Sequence, residues 1–484
     1  MTKKKAAPVY RLDAEKVGQE AACALGDGRL ERRMQQIVET MCKRPAASLP
    51  QLFPREADLE AVYRFLGNDR LSLGRILLGH VAHTVARAQS LRTVCVIHDS
   101  TEFAFPVRKR PRPGLEQFSE SRQGFLCHFS VCVSADGARA PLGCLWTQPF
   151  VRLHRLCIEE DKAAWKTRMG SDFSEAGRWL KGIRHSERVL GPSVSAIHLC
   201  DREGDAYPLF SKLVQHNSRF VTRLSHNRTL SGEPDLAHLL DYVRAQPVLG
   251  ESRVVQLSER LDGDRTPSDI KTHPSRQSRA AELQIRCAQV SIRRPASRSE
   301  EPRTVMVNVV DVSEVNTPDE QSPVRWTLCT TESIATEADC WRIVDLYRTR
   351  WLVEEFIKAI KTGCAYESRQ LDSEQTLLHA LGLTIPVAWT LLLLRYLDRE
   401  APDSPAEAVL PADLVALLKR VWPRGAVPEK PSVREALHAI AALGGHRRQN
   451  GPPGWLVLHR GYQSLLLMYQ GYKAALPDGR CDQS

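Results

Sequence analysis

The chain has 484 residues, and 67 Lys+Arg against 57 Asp+Glu leave a formal net charge of +10 at pH 7. With 42% apolar and 26% charged residues, the composition excludes a wholly disordered chain, a collagen-like repeat and a multi-span membrane protein. That length has room for roughly two to four domains. The basic surplus is spread along the chain, so charge nominates nucleic acid or another polyanion without locating where it binds.

The start, MTKKKAAPVYRLDAEK, is basic but has no apolar stretch behind it, so no signal peptide is expected. Residues 15–75 read as helical, with Gly at the breaks and basic and aromatic residues interleaved in AACALGDGRLERRMQQIVETMCKR and EADLEAVYRFLGND. RTVCVIHD is then a β-branched strand ending in an acid, and FLCHFSVCVSADGARAPLGCLWTQPF reads as two strands joined at Asp136-Gly137. A charged helical segment from Ile158 to Arg184 leads to a second buried-type strand ending in acids, VSAIHLCDREGDAY. A helix and the strand RFVTR follow, an alternation that favours an α/β domain.

From about Asp241 to Trp326 the runs VVQL, ELQIRCAQVSIRR, TVMVNVVDV and VRWTLCTT are separated by polar linkers. They predict an inserted antiparallel sheet distinct from the α/β unit. EADCWRIVDLYRTRWLVEEFIKAIKTG predicts one long helix closed by Gly363, and the remainder is helical with a proline-rich joint from Pro402 to Pro431. The apolar stretch Ala380–Leu394 is too short for a bilayer, which wants roughly 20 residues, and reads as a core helix. Thirteen cysteines sit without any CxxC pair, the pattern of reduced thiols in a cytoplasmic protein.

Three carboxylates stand out. Asp99 directly follows the strand VCVIH, Asp201 directly follows AIHLC, and Glu354 lies on the long helix. Strand ends are where α/β sheets present functional groups, although an isolated Asp there more often serves as a turn or helix cap. On an ideal helix Tyr347, Arg350, Glu354, Lys358 and Lys361 fall within an arc of roughly 80°, with Leu352, Val353, Phe356, Ile357 and Ile360 on the other side. That face suits an anion; a solvated row of Arg/Glu/Lys pairs fits the same pattern. Glu355 is the neighbouring rival, but its direction diverges from Tyr347 and Arg350, which favours Glu354.

The order Asp99-Ser100-Thr101, Asp201-Arg202-Glu203-Gly204-Asp205 and Tyr347-x2-Arg350-x3-Glu354-x6-Lys361 resembles the DDE transposases of bacterial insertion sequences, family four, specifically the Tn-five-like cut-and-paste enzymes. The last motif specifies four residue types at three spacings. The resemblance extends over nearly the whole chain: Val62-Tyr63-Arg64-Phe65-Leu66-Gly67-Asn68 looks like the family's end-binding domain, and IAALGGHRR with Trp455 and Tyr462 like its dimerisation domain. His98 before the first Asp, and Phe125-Leu126 where a related enzyme has a tryptophan pair, depart from the family pattern.

The resemblance implies a ribonuclease-H-like α/β catalytic core with an inserted antiparallel β-sheet, flanked by helical N-terminal and C-terminal domains. The corresponding segments are 1–75 for end binding, 76–240 and 329–372 for the catalytic core, 241–328 for the inserted sheet, and 373–484 for dimerisation. It further implies that Asp99, Asp201 and Glu354 are catalytic and hold two Mg²⁺ or Mn²⁺ ions, whose charge would stabilise attacking and leaving phosphodiester oxygens. Tyr347, Arg350 and Lys361 would bind phosphates at the cleaved end. Trp326 would stack a base flipped from a hairpin, and Arg223, Arg228, Tyr63 and Arg64 would contact the element's end.

The basic run Arg108-Lys109-Arg110-Pro111-Arg112 would steer DNA toward the site, or form a solvated loop. Partners would be double-stranded DNA at transposon ends and target, and a second copy of the chain in a synaptic homodimer. No membrane is implied. No nucleotide cofactor is expected either, because Gly-Lys-Ser/Thr is absent from the chain. The expected location is the bacterial cytoplasm, at the nucleoid. A DNA-binding remnant without catalysis, and a simple ribonuclease-H-like nuclease, remain the alternatives.

Overall fold

In the computed structural model the described residues are 13–475 apart from 24, 108–110, 157–158, 170–174, 233–237, 258–274, 319–320, 401, 423–427, 448 and 450–452. The first three residues of the basic run at 108–112 therefore lie outside the described residues, while Arg112 is buried against the Phe105 ring.

The N-terminal part is helical: Ala14–Ala22, Gly28–Lys43, Leu49–Leu52, Glu56–Leu66 and Leu73–Gln89. Asp13 and Asp27 start the first two helices by accepting from the amides of Glu15 and Arg29 at 3.0 and 2.9 Å. Ser72 caps the fifth through the Arg75 amide, so that helix runs across the expected boundary at residue 75. It packs so closely on the first helix that a Cβ at Gly79 would lie 2.4 Å from the carbonyl oxygens of Glu20 and Ala21.

Among the described residues, ten strands form one mixed sheet. They are β1 (Thr93–Pro106), β2 (Glu116–Ser119), β3 (Arg122–Ser134), β4 (Pro141–Phe150), β5 (Ser195–Cys200), β6 (Arg219–Arg223), β7 (Arg253–Leu257), β8 (Arg279–Arg293), β9 (Thr304–Val315) and β10 (Arg325–Thr330). The order is β2-β3-β1-β5-β6-β10-β9-β8-β7, with β4 also on β3; β1, β5 and β6 run parallel and the rest pair antiparallel. The fold is thus mixed α/β with helical flanks. The expected inserted strands are antiparallel, but they are not a separate sheet. β10 bonds to β6 on one side and β9 on the other, carrying the hydrogen-bond ladder outward without a break.

Two local expectations change. β1 does not stop before Asp99: it continues to Pro106 because β3 pairs with it over its whole length, from Val94↔Ser134 to Pro106↔Arg122. The single long helix is broken into Glu337–Thr349, Leu352–Lys358 and a π-helical turn Ala359–Gly363. Tight three-residue bonds, Arg350 amide to Tyr347 carbonyl and Val353 amide to Arg350 carbonyl, mark the first break. The wide bond from the Cys364 amide to the Ala359 carbonyl marks the second.

The apolar C-terminal stretch forms the helix Glu374–Glu400, longer than the sequence predicts and with Pro386 inside it. By length and composition this helix could cross a membrane, but 94% of its most apolar window is buried within the protein. It is the core strut against which the N-terminal helices, β4 and the C-terminal helices pack.

Candidate active site

The parallel ladder between β1 and β5 runs from Thr93↔Ser195 to Ile97↔Leu199. Asp99 and Asp201 stand in the same register two residues past the last pair. Strand pleating puts both on one face of the sheet. The Asp99 carboxylate accepts from the Ser100 amide at 2.8 Å, and Asp201 accepts from the Glu203 amide at 2.9 Å, capping the short turn Arg202–Gly204. Asp201 therefore serves partly as the cap that its position suggests.

Glu354 comes to the same place through Arg350, which sits at the tight break in the helix. The Arg350 guanidinium donates to Asp99 Oδ2 at 3.3 Å and to Glu354 Oε1 at 2.6 Å, bridging strand and helix. Phe356, on the inward side of that helix, meets Phe129 of β3 edge-on at 5.8 Å and seats it on the sheet.

Burial, then the neighbouring Asp201 charge, push the Asp99 carboxyl up to about 8 against the pull of Arg350, with Glu354 adding to the rise. Glu354 is also raised, by burial first and against Arg350, with Asp201 and Glu355 contributing. The three acids thus sit in one another's field. Buried carboxylates that repel one another are stabilised by added positive charge, and an all-oxygen donor set suits a hard divalent ion. Among the described residues, no group of three or more His, Cys, Asp or Glu is placed so as to hold a metal ion. Here Arg350 supplies the positive charge between two of the acids. The residue types fit Mg²⁺ or Mn²⁺, with Asp99, Asp201 and Glu354 as the side chains that would hold it.

Other expected site residues divide into three groups. Tyr347 is buried beside Arg350 and Arg223, whose positive charges act on its hydroxyl, and its ring lies 6.0 Å from that of Trp326 on β10. Arg223 also donates to the Arg325 carbonyl at 3.2 Å. These four residues converge next to the acids.

Lys361 does not join them. The breaks in the helix carry it to the far part of β1, where its Nζ lies 3.8 Å from Glu367 and 5.5 Å from the Phe103 ring. Arg228 is also elsewhere: its guanidinium is directed at Asp205, donating to the backbone carbonyl at 2.7 Å and from Nε to the carboxylate at 3.1 Å, with the Phe210 ring 5.5 Å away. Tyr63 and Arg64 are on the outer side of the helix Glu56–Leu66, whose Val62, Phe65 and Leu66 are buried; Arg64 is 71% exposed. Glu355 lines a pocket of about 170 Å³ shared with Leu352, Leu392 and Tyr396, though its charge still reaches Glu354.

Sequence reasoning missed two features. A cleft of about 790 Å³, lined in part by Ser100, Glu102, Arg152, Arg178 and Glu203, takes in neighbours of Asp99 and Asp201 in the chain but none of the three acids. Behind Asp99, on the opposite face of the sheet, is a buried layer of His98, His128 and His198. Its signal in the sequence is the tripeptide His-x-Ser occurring twice on strands, at 98–100 and 128–130.

Compared with known protein families, residues 19–71 match the family described as transposase DNA-binding. The matched segment contains the exposed Tyr63 and Arg64. It supports reading the chain as a transposase with DNA as its partner.

Proposed function

We propose that this protein is a metal-dependent DDE transposase that moves an insertion sequence by cutting and pasting DNA. The observation that carries this reading is the placement of Asp99 and Asp201 two residues past the end of one parallel ladder, within each other's field, with Glu354 tied to Asp99 through Arg350, in a chain bearing a transposase DNA-binding segment. The core around them is read as ribonuclease-H-like.

Asp99, Asp201 and Glu354 would hold two divalent ions, which when bound supply positive charge to the attacking and leaving oxygens of a phosphodiester. Arg350 has two roles: it neutralises the acids before DNA arrives, and with Tyr347 and Arg223 it offers donors to the phosphates of the cleaved end. Trp326, beside Tyr347, presents an aromatic face on which an unpaired base stacks, offsetting the cost of unstacking it. The site then supports successive reactions: hydrolysis of one strand, attack of the freed 3′-hydroxyl on the other to form a hairpin, hairpin opening, and joining to target. By analogy with the family, two copies act together, each N-terminal domain holding one end while the other copy supplies catalysis.

The test is a linear donor carrying the element's end, incubated with Mg²⁺. Nicks, hairpins and strand-transfer products are expected. Shifted but intact DNA would identify a binding remnant, and nicks without joined products a simple nuclease.

A further inference from the structure

The β1–β5 ladder ends at Ile97↔Leu199, so no ladder pair sets the separation of the two strands where Asp99 and Asp201 stand. Directly behind them, on the opposite face, His98 Nε2 lies 2.9 Å from His198 Nδ1. This side-chain bond joins β1 to β5 close to the point where the backbone bonds end. His98 Nδ1 is in turn 3.0 Å from Ser130 Oγ, and Ser100 Oγ is 2.8 Å from His128 Nδ1. The neighbours of Asp99 on both sides are thus clamped to β3, at the directly opposed pairs His98↔Ser130 and Ser100↔His128.

The layer is buried, and the outer nitrogen of His198 lies 3.4 Å from Glu187 Oε1. His98, His128, His198 and Ser130 are fully buried, and the helix Glu175–Leu190 covers them with Trp179, whose ring lies 5.0 Å from that of His128. The helix comes this close because residue 182 is Gly: a Cβ there would lie 2.9 Å from the Trp146 ring and 3.1 Å from Ser130 Oγ. An apolar pair would fill this volume without the cost of burying polar rings, but it would not join the two strands by a directional bond.

We infer that His98 and His198 form a positioning pair that sets the spacing of the Asp99 and Asp201 carboxylates from the reverse face of the sheet, and through it the affinity of the site for a divalent cation. Neither ring touches the acids' face, and neither is a catalytic residue. The inference rests on reading the two acids as metal ligands.

The experiment uses the full chain and Mn²⁺ alone, with binding followed by electron paramagnetic resonance and calorimetry, and folding by thermal unfolding. Asp201→Asn tests the underlying reading: it should abolish Mn²⁺ binding, and unchanged binding would remove the metal site and this inference with it. His198→Leu fills the space but breaks the bond, and should weaken Mn²⁺ binding about 10–100-fold, the usual effect of losing a group that orients a ligand. His198→Asn places an amide atom at the Nδ1 position and should stay within about threefold of wild type. His98→Asn breaks the same bond from the other side, keeps the contact with Ser130, and carries the test should His198→Leu not fold. Wild-type Mn²⁺ affinity in a folded His198→Leu or His98→Asn protein would overturn the inference, as would equal losses in His198→Leu and His198→Asn.

Discussion

Arg350 and Asp99, 251 positions apart in the chain, meet with Nη1 3.3 Å from Oδ2, and the other arm of the same guanidinium holds Glu354 at 2.6 Å. One side chain therefore links the strand acid to the helix acid. Its planar fork does what a lysine could not, because two separate donors leave it in fixed directions.

That bridge distinguishes Glu354 from its neighbour. Glu355 lines the pocket shared with Leu392 and Tyr396, and the Arg350 bridge to Asp99 goes to Glu354. Glu354→Ala should abolish strand cleavage while end binding stays within a few fold, and Glu355→Ala should retain most cleavage. Gel-shift and nicking assays on the same donor DNA check both; the opposite ranking would falsify the assignment of the third acid.

Trp326 and Tyr347 lie with ring centroids 6.0 Å apart at a tilt of 59°, leaving the Trp326 ring half-buried at the edge of the site. Trp326→Ala should slow hairpin formation more than first-strand nicking, since only the former needs a base held out of the stack. Time courses resolving the two products are the measurement. An equal decline in both would reduce Trp326 to a packing role.

Arg64 is largely exposed within the segment that matches transposase DNA-binding, and its nearest acid, Glu60, is 3.8 Å away and also exposed. Such a surface pair contributes little to folding. Arg64→Ala should leave the unfolding temperature unchanged, weaken binding to the element's end, and reduce the slope of log affinity against log salt by about 1. A slope equal to wild type would take Arg64 out of the phosphate contacts.

Asp205 has the opposite character. Its side chain is fully buried and accepts from the amides of Ser225 and His226 at 2.7 and 2.9 Å as well as from Arg228. Burial pushes its carboxyl up, but Arg228 and the amides prevail and hold it below the usual carboxylate range. The stability it contributes is therefore present above the ordinary Asp pKa of about 3.9 and is lost as pH falls through the lower folded value. Asp205→Ala should destabilise the protein by about 3–5 kcal/mol at pH 7 by stranding Arg228. Urea unfolding should show the gap to wild type narrowing below about pH 4. A gap that does not change with pH would mean the loss is one of packing.

Lys361 shows why an ideal helical arc predicts some neighbours and not others. The arc assumes a constant rotation per residue, but the tight turn at Arg350 and the wide turn at Ala359–Gly363 each change it. Tyr347, Arg350 and Glu354 are close enough in sequence to remain together. Lys361, beyond both breaks, lies against Glu367 and Phe103.

The strand ending in His98-Asp99, the strand ending in Cys200-Asp201, the capped N-terminal helices and the Tyr347–Glu354 spacing were all legible in the amino acids alone, because pleat alternation, capping and helical turn are set by short-range sterics and hydrogen bonds. Tertiary structure alone decided that Asp99 and Asp201 stand side by side two residues past the end of a parallel ladder, that β10 joins the antiparallel strands to the central sheet, that Arg228 serves Asp205, and that three histidines form a layer behind the acids. Register and burial depend on partners removed along the chain, 100 residues for His98 and His198 and 23 for Asp205 and Arg228, and no local pattern carries that information.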